Sequence, residues 1–398
     1  MFHAQIHIKI TKFLKSTYFF MLPYILTFTF AEDRLILKQA KILESRTIDK
    51  ESIRLIEGDV IFEKGNLILK CQKGRYFEKE GKVVLYDQVS AFKDELTFKA
   101  DTIKFYSNSN QLLGIGSSHA WAPNYDLKAD TIIVFTESDS GIASKDVALT
   151  QNKQRIESDK IIYKNYPSLK KLSYHATGNV EIQDSTVSSK SEIADYNGLD
   201  ESTILKGNPQ IFDESRVLSG HEIKLYYTNN KLENIYIPSN AVSNIVKNGF
   251  IKSRTDSLMR ISFTDKIEGK ELFGRFFNGI LDSVKLIGMS KTLYHVFEDS
   301  LYKGKNQVSG DSIIISFSEN RIKELEVYGG AKGKYNPDST ESNITSPILY
   351  EADKICYMLK VKETDLFGNS NIKYDKTNLE ASHININWNN NLLNAYAN

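Results

Sequence analysis

Cysteine, proline and histidine are scarce in this chain of 398 residues, which contains 2, 7 and 7 of them respectively. Two cysteines cannot supply the disulfide framework that holds small secreted domains together. An oxidising compartment would allow one disulfide, but buried free thiols are the expected state of Cys71 and Cys356. The low proline content, beside 21 phenylalanines and 21 tyrosines, favours strands over loops.

An excess of charge of one sign is also missing, because 51 Lys and Arg stand against 50 Asp and Glu. Without a basic excess to neutralise phosphates, the chain is not predicted to bind nucleic acid. A composition of 41% hydrophobic and 25% charged residues excludes a disordered tail, a collagen-like chain and a polytopic membrane protein. The length is enough for one large or two ordinary domains.

The N-terminus has the organisation of an export signal. A basic stretch between residues 9 and 15 precedes residues 16–31, which are uncharged and rich in Phe, Tyr and Leu. This apolar run is shorter than the roughly 20 residues of a spanning helix. Thr29 and Ala31 are small residues suited to the −3 and −1 positions of a cleavage site. Residues 1–31 are therefore predicted to be a cleaved signal peptide, with a retained single-pass anchor as the alternative.

One short pattern recurs along the chain: a small residue, an acidic or polar residue, any residue, an aliphatic residue, any residue, then an aromatic or aliphatic residue. Its best copies occupy residues 100–105, 129–134 and 158–163. Further copies begin at Cys71, Lys190, Gly220, Gly269, Gly310, Ala352 and Ala381. From Cys71 onward the successive spacings are 29, 29, 29, 32, 30, 49, 41, 42 and 29 residues.

A second marker keeps the same period between these copies. It is a two-residue step, usually Gly or Asp followed by a polar residue, at spacings of 29, 29, 29, 33 and 29 residues. Its copies begin at Gly58, Asp87, Gly116, Lys145, Gly178 and Gly207. Two independent markers with one period indicate a repeat protein. Polar turns between β-rich segments predict hairpins, so the expected fold is all-β with about ten two-strand repeats.

Strand alternation places one apolar stripe on a single face, because successive side chains of a strand point to opposite sides. Its members share the aliphatic or aromatic positions of the repeated pattern. They are Ile103, Phe105, Ile132, Val134, Ile161, Tyr163, Ile223, Leu225, Ile313, Ile315, Ile355 and Tyr357. The stripe is either an ordinary repeat core or the lining of a groove that holds lipid, and the pattern by itself favours the core.

Catalytic constellations are few. The five histidines after the signal are widely separated, and Gly-x-Ser-x-Gly, P-loop and Gly-x-Gly-x-x-Gly patterns are missing. The chain is therefore predicted not to be an enzyme, with no catalytic residue, metal site or cofactor. The aspartates of the repeated pattern, such as Asp101 and Asp159, are expected to bond turn amides, with a calcium ladder as the alternative.

Several short segments together resemble one family. They are Glu-Gly-Asp-Val-Ile-Phe at 57–62, Gly-Asn-Val-Glu-Ile at 178–182, and Lys-Ala-Asp-x-Ile at 99–103 and 128–132. Following an export signal and repeating in order, they are similar to the OstA-like family. That family comprises the periplasmic lipopolysaccharide-transport bridge protein LptA and the N-terminal domain of the outer-membrane translocon LptD. The resemblance is clear over about 35–237 and less regular onward to Trp388.

The resemblance implies an elongated V-shaped antiparallel β-jellyroll whose apolar interior holds the acyl chains of lipopolysaccharide. The twelve stripe residues then become candidates for the lining of a lipid groove. A periplasmic location follows, with lipopolysaccharide carried toward the outer membrane and no cofactor needed. The implied partners are LptC-like and LptD-like proteins or further copies of the chain, joined by edge-strand addition and linking the protein to the inner or outer membrane.

Regular repeats are predicted for 32–237 and a continuation of the stack with longer repeats for 238–398. Inserted loops, for example at 332–347, are the expected cause of the longer spacings. A stack of this kind has two open edges, expected near 35–43 and 384–393.

Two other functions compete with lipid transport. A ligand-free structural or adhesive β-repeat scaffold would have an interior closed by large side chains. A polysaccharide-processing β-helix enzyme would need clustered acids on a parallel coil, and the hairpin turns within each unit argue against that arrangement.

Overall fold

The computed structural model describes residues 34–48, 51–184, 187–213, 216–252, 257–318, 321–338, 344–390 and 392–397. The predicted signal peptide lies outside these residues. Within them, the regular structure is β-strand apart from one 3-10 turn at Pro167–Leu169. The all-β prediction is confirmed.

The strands follow one another closely along the described residues. Those before the 3-10 turn are β1 (Ile36–Gln39), β2 (Ile42–Ile48), β3 (Glu51–Lys64), β4 (Leu67–Phe77), β5 (Lys82–Tyr86), β6 (Ser90–Lys93), β7 (Leu96–Lys99), β8 (Thr102–Tyr106), β9 (Gln111–Ala122), β10 (Tyr125–Phe135), β11 (Ser140–Gln151) and β12 (Gln154–Tyr166). Next come β13 (Lys171–Gln183), β14 (Ser188–Asn197), β15 (Ser202–Lys206), β16 (Gln210–Asp213), β17 (Arg216–Ser219), β18 (Glu222–Thr228), β19 (Lys231–Ile237), β20 (Ala241–Lys252) and β21 (Leu258–Gly269). The last are β22 (Glu271–Phe277), β23 (Ile280–Glu298), β24 (Leu301–Ser318), β25 (Arg321–Pro337), β26 (Ile348–Met358), β27 (Glu363–Tyr374), β28 (Thr377–Asn387) and β29 (Leu392–Tyr396).

These strands form one hydrogen-bonded sheet in which near neighbours along the chain pair antiparallel. Long strands such as β10 pair along their length with the strand before and the strand after, here β9 and β11. A single parallel contact joins β20 and β24, at Phe250 and Leu301. Pairing continues across Pro238, since β17 pairs with β20 and β19 with β22.

The second repeated marker of the sequence forms the bends of this sheet. At each of its six copies both residues have positive φ, and the pairing register shifts or the strand ends there. In β9, Gly116 has φ 75° and Ser117 has φ 42°. A Cβ on Gly116 would lie 2.3 Å from Oδ2 of Asp101, so glycine meets both a backbone and a space requirement there.

The repeated aspartates lie beside these bends, and two of them bond amides there. Asp159 accepts a hydrogen bond of 3.0 Å from the side-chain amide of Asn179, and Asn369 donates one of 3.0 Å to Asp353. These two aspartates thus bond amides at the bends, and the amides belong to asparagine side chains. The backbone N–H of Asp101 is bound by the carbonyl of Gly116 at 3.0 Å.

The bends divide the long strands into two layers that face each other. In β9 the bend separates residues 111–115, which pair with β8, from residues 118–122, part of which pairs with β7. The first layer consists of 111–115 and the corresponding segments of the other strands. The second layer consists of 118–122 and its corresponding segments. The layers approach closely, since a Cβ on Gly114 in the first would lie 2.4 Å from Cζ of Phe98 in the second. The ends of the two layers that lie away from the bends contact each other at several places, and we call this side of the sheet the mouth.

Longer strands contribute to the longer spacings in the C-terminal part, together with the stretch between β25 and β26. Residues 332–337 belong to β25, pair with β24 and, over 332–335, also pair with β26, so the predicted loop at 332–347 is wrong for this stretch. The widest spacing arises from the hairpin of β20 and β21, which pair over twelve positions. Loop-like composition did not prevent strand formation because neighbouring strands on both sides satisfy the backbone.

The open edges lie close to their predicted positions. The N-terminal edge consists of β1 and β2, which both pair with β3. At the other end the edge strand is β29, whereas Ile384 is completely buried between Leu366 and Ala395. The predicted C-terminal edge at 384–393 is therefore displaced by one strand.

Candidate functional site

The interior between the two layers is one continuous apolar cluster that extends from Ile56 to Ile384. It includes all twelve predicted groove residues, each no more than 5% exposed. They are Ile103, Phe105, Ile132, Val134, Ile161, Tyr163, Ile223, Leu225, Ile313, Ile315, Ile355 and Tyr357. The predicted stripe thus lies on the inner face, where its side chains pack against those of the opposite layer.

Hydrogen bonds across the mouth join the two layers in the N-terminal part. The Lys64 ammonium, in the second layer, donates to the carbonyl of Ser107 and to Oδ1 of Asn110 in the first, both at 2.6 Å. One repeat later, Lys93 donates to the carbonyl of Thr136 and lies 3.5 Å from Asp139.

The third contact in this line is between Asn124 and Asn165, at 2.9 Å. The two lysine contacts have equal sequence separations of 43 residues, because both partners move by one 29-residue repeat. Sequence reasoning missed these polar contacts between the two layers. The shared period of Lys64 and Lys93 could have suggested it.

Tyrosines fill the interior behind the mouth. Tyr125 of the second layer lies 5.7 Å, between ring centroids, from Tyr163 of the first. Burial raises the pKa of Tyr125 to about 12 and raises that of Tyr163 further, so both phenols stay neutral at physiological pH. The Tyr174 hydroxyl and the Gln151 side-chain nitrogen are buried nearby without a hydrogen-bond partner among the described residues. The interior therefore contains polar groups that could bond a polar part of a ligand.

Near the middle of the chain the two layers leave a small apolar cavity of about 70 Å³. Its lining includes Leu218, Ile245, Phe276, Leu281, Val284 and Phe317, which are only partly buried. Across the mouth here, the Arg216 guanidinium lies 5.8 Å from the Phe317 ring centroid and is also paired with Asp213. Of the predicted groove residues, Ile315 borders this cavity.

Hydrogen-bonded tyrosines cross the interior in the C-terminal part. The Tyr350 hydroxyl donates to Oδ1 of Asn306 at 2.6 Å and lies 2.7 Å from the Tyr357 hydroxyl. Asn306 in turn donates to the Tyr294 hydroxyl at 2.7 Å. The stripe predicted as uniformly apolar is polar here, because Tyr357 points its hydroxyl into this network.

The histidines lie apart from one another, and four of them contact an aspartate on a neighbouring strand. The pairs are His119 with Asp126, His175 with Asp195, His295 with Asp265, and His383 with Asp365, at 2.8, 2.5, 2.9 and 2.7 Å. Such pairs are ordinary cross-strand contacts.

One acidic cluster contains residue types that can ligate a metal ion. Glu324, Glu326 and Cys356 place two carboxylates and a thiol within 4.8 Å of one another. The Cys356 thiol donates to Glu324 at 3.1 Å, and the Lys354 ammonium lies 2.6 Å from Glu326. Burial raises the pKa of the thiol to about 12, so it stays protonated at neutral pH. Because a lysine already neutralises Glu326, these residues do not fit a metal ion.

Comparison with known proteins finds a family match for one segment of the chain. Residues 126–231, about a quarter of the chain, match the family model described as LptA/(LptD N-terminal domain) LPS transport protein. The resemblance to the OstA-like family is confirmed. This matched range, which we call the OstA-like segment, comprises β11 to β18 and most of β10, and contains half of the groove candidates. These are Ile132, Val134, Ile161, Tyr163, Ile223 and Leu225.

Among solved structures, the chain is similar to LptH from Pseudomonas aeruginosa, described as the LptA homologous periplasmic component of the conserved lipopolysaccharide transport device. The identity is 15% and the TM-score 0.26, over 29% of this chain and 84% of that chain. No curated protein matches the chain. None of the described residues forms a helix that is both long and apolar enough to cross a membrane.

Proposed function

We propose that this protein is a periplasmic bridge that binds lipopolysaccharide and carries it toward the outer membrane, holding acyl chains between its two layers. The observation that carries the proposal is the unbroken apolar interior, which extends through the OstA-like segment and beyond it. Burial of acyl chains in such an interior is worth about 0.8 kcal/mol per CH₂. The predicted division into regular repeats at 32–237 and longer ones at 238–398 is part of this proposal.

The central cavity is the proposed point of lipid entry. Its partly exposed side chains bring the apolar interior to the mouth, and a cation–π contact spans the layers there. Elsewhere along the N-terminal part, entry would require the contacts of Lys64, Lys93 and Asn124 to break. Once the layers separate, the buried hydroxyl of Tyr174 could bond an ester or hydroxyl oxygen of the lipid.

Edge-strand addition is the proposed mode of docking. Ile36, Ile42 and Leu43 are exposed at the N-terminal edge, as are Leu392 and Leu393 at the C-terminal edge. Exposed strand edges with apolar side chains are suited to pairing with another strand. The proposed partners are LptC-like and LptD-like proteins or a second copy, reached after export through the signal at 1–31.

Photocrosslinking at two phenylalanines of β22 tests the proposal. Phe276 lines the central cavity, whereas Phe273 is exposed and stacks on Tyr236. Benzoylphenylalanine keeps the phenyl ring of either residue and adds a photoreactive benzoyl group at its para position. In Gram-negative cells that express the full chain, we expect a lipopolysaccharide adduct from position 276 and none from 273.

Absence of an adduct would support the ligand-free scaffold, which is the second candidate function. The specific observation that favours a scaffold is the closed packing, since the twelve stripe side chains already contact the opposite layer. Ile161 is a second crosslinking position inside the core. If neither position 276 nor position 161 gives an adduct in protein that is folded and exported, the scaffold is established instead. An adduct at 276 and 273 alike would indicate non-specific contact with lipid.

A further inference from the structure

A concave trough lies on the outer surface of the second layer in the C-terminal part, with a volume of about 580 Å³. It crosses six adjacent strands, β21 and β23 to β27, which span about 24 Å at the usual strand spacing. One row of paired residues across it is Lys266, Leu293, Gln307, Lys334, Leu349 and Lys373. A second row, two residues along each strand, includes Lys291 and Lys332.

The trough is separate from the proposed lipid interior. Between its two rows lie Ile267, Val308 and Ile372, which are buried and belong to the core. Because side chains alternate along a strand, the rows on either side of these residues face solvent. The trough and the apolar core are therefore opposite faces of the same layer.

Positive charge is concentrated in this trough although the whole chain is nearly neutral. Five lysines and two glutamates line it, a formal charge of 5 − 2 = +3, against +1 for all 398 residues. Lys266 lies 2.5 Å from Glu268, and Lys332 lies 3.7 Å from Glu351.

Lys291, Lys334 and Lys373 are exposed and have no ion pair within the described residues. Three ammonium groups in one concave surface attract an anion more strongly than scattered lysines do, because their fields add in the enclosed space.

The remaining lining suits a sugar chain better than a simple anion. Gln307, Ser309 and Asn371 offer neutral groups that donate and accept hydrogen bonds. Leu293 and Leu349 provide apolar surface, and Leu349 is 45% exposed. The volume is within the 300–1,000 Å³ of usual ligand sites.

We propose that this trough binds an acidic oligosaccharide, with Lys291, Lys334 and Lys373 contacting its phosphate or carboxylate groups. Lysine acts as a point charge toward either anion, so the trough does not require one of them. The hydroxyl groups of the sugar chain would bond Gln307 and Asn371, and its apolar faces would lie on the two leucines. This site does not depend on the lipid-carrying function, because the ligand needs no acyl chain.

Isothermal titration calorimetry of soluble saccharides against the full chain tests the proposal. The probes are a phosphorylated dextran hexamer, a galacturonate hexamer and a neutral dextran hexamer, none of which carries an acyl chain. We expect at least one acidic hexamer to bind at least tenfold more tightly than the neutral one, and more weakly as salt rises. The preferred acidic hexamer identifies phosphate or carboxylate as the natural anion.

Two variants of equal charge distinguish the trough from the general surface. The triple variant Lys291→Gln, Lys334→Gln, Lys373→Gln should lose at least tenfold in affinity. The control Lys128→Gln, Lys153→Gln, Lys160→Gln, on exposed positions elsewhere, should stay within twofold. Circular dichroism checks that both fold.

Equal losses in the two variants, equal binding of the neutral hexamer, or tighter binding of single-stranded DNA than of either acidic hexamer would overturn the proposal. None of these outcomes bears on lipid crosslinking at Phe276, so the two functions succeed or fail separately.

Discussion

The side-chain nitrogen of Asn124 donates a hydrogen bond of 2.9 Å to the side-chain oxygen of Asn165, 41 residues further along the chain. The two residues lie at the turn ends of opposite layers, so this bond holds the mouth closed. Lys64 and Lys93 make equivalent contacts in the two preceding repeats. The interior is thus bounded by a line of polar contacts, each of which can be removed separately.

Removal of the asparagine contact should loosen the mouth. Asn124→Ala is expected to lower the free energy of unfolding by about 0.5–1.5 kcal/mol, the usual net value of one hydrogen bond. Urea denaturation measures this change, and Ser109→Ala in an exposed turn is the control. In a double-mutant cycle with Asn165→Ala, strictly additive losses would show that the two side chains do not interact.

Truncation of the stripe should destabilise the core. Ile132→Ala and Ile161→Ala are each expected to cost about 2–5 kcal/mol because both side chains are fully buried. Lys104→Ala, on the opposite face of its strand, should change the stability by less than about 0.5 kcal/mol. Losses at Ile132 as small as that at Lys104 would contradict the assignment of the inner face.

Aspartate at the same positions tests the lipid-groove hypothesis. Ile132→Asp and Ile161→Asp should weaken capture of lipopolysaccharide more than Lys104→Asp does. Since a carboxylate in this core also destabilises the fold, capture must be compared in protein that circular dichroism shows to be folded. Equal capture by folded Ile161→Asp and Lys104→Asp would reject the groove.

The bend at Gly116 should tolerate no side chain. Gly116→Ala combines a positive φ with a Cβ only 2.3 Å from the Asp101 carboxylate. Gly330 also has a positive φ, 57°, but a Cβ there meets nothing within 4 Å, so Gly330→Ala is the matched control for backbone strain. Thermal unfolding should show a larger loss for Gly116→Ala, and Asp101→Ala should recover part of it. A loss equal to that of Gly330→Ala would mean that strain alone matters.

Alkaline pH should weaken the fold through Cys71. Burial raises the pKa of this thiol from about 9 to about 12. Because the unfolded chain loses the proton first, the stabilisation is fully present below pH 9 and is lost as the pH rises toward 12. The free energy of unfolding, measured from pH 8 to 11, should fall less steeply in Cys71→Ala than in the parent protein. Parallel slopes would exclude this contribution.

The C-terminal edge should mediate self-association if strand addition joins copies of the chain. Leu392→Lys with Leu393→Lys places two charges on the exposed edge strand and should shift sedimentation toward the monomer. Phe277→Lys, at the exposed last residue of β22, is the control for removing apolar surface. If the parent protein already sediments as a monomer, the edge does not join copies of this chain, and its partner is a different protein.

Much of the fold could be predicted from local patterns. The alternation around Ile103 and Phe105 placed the stripe on the inner face, because a strand has a period of two residues. The recurring step at Gly116 and Gly178 indicated the repeat, but only the structure showed that it forms the bends, where both residues have positive φ. The segment at 332–335 was mispredicted since its composition resembles a loop while pairing on both sides makes it a strand.

By itself the sequence determined the repeat, the all-β class and the residues of the inner face, since each depends on interactions within one or two repeats. Only the tertiary structure decided that Lys64 reaches Ser107, that Tyr350 reaches Tyr357, and that lysines of separate strands share one trough. Those contacts depend on the offset between facing layers and on the curvature of the sheet. Both arise from the packing of many strands together, which no single repeat encodes.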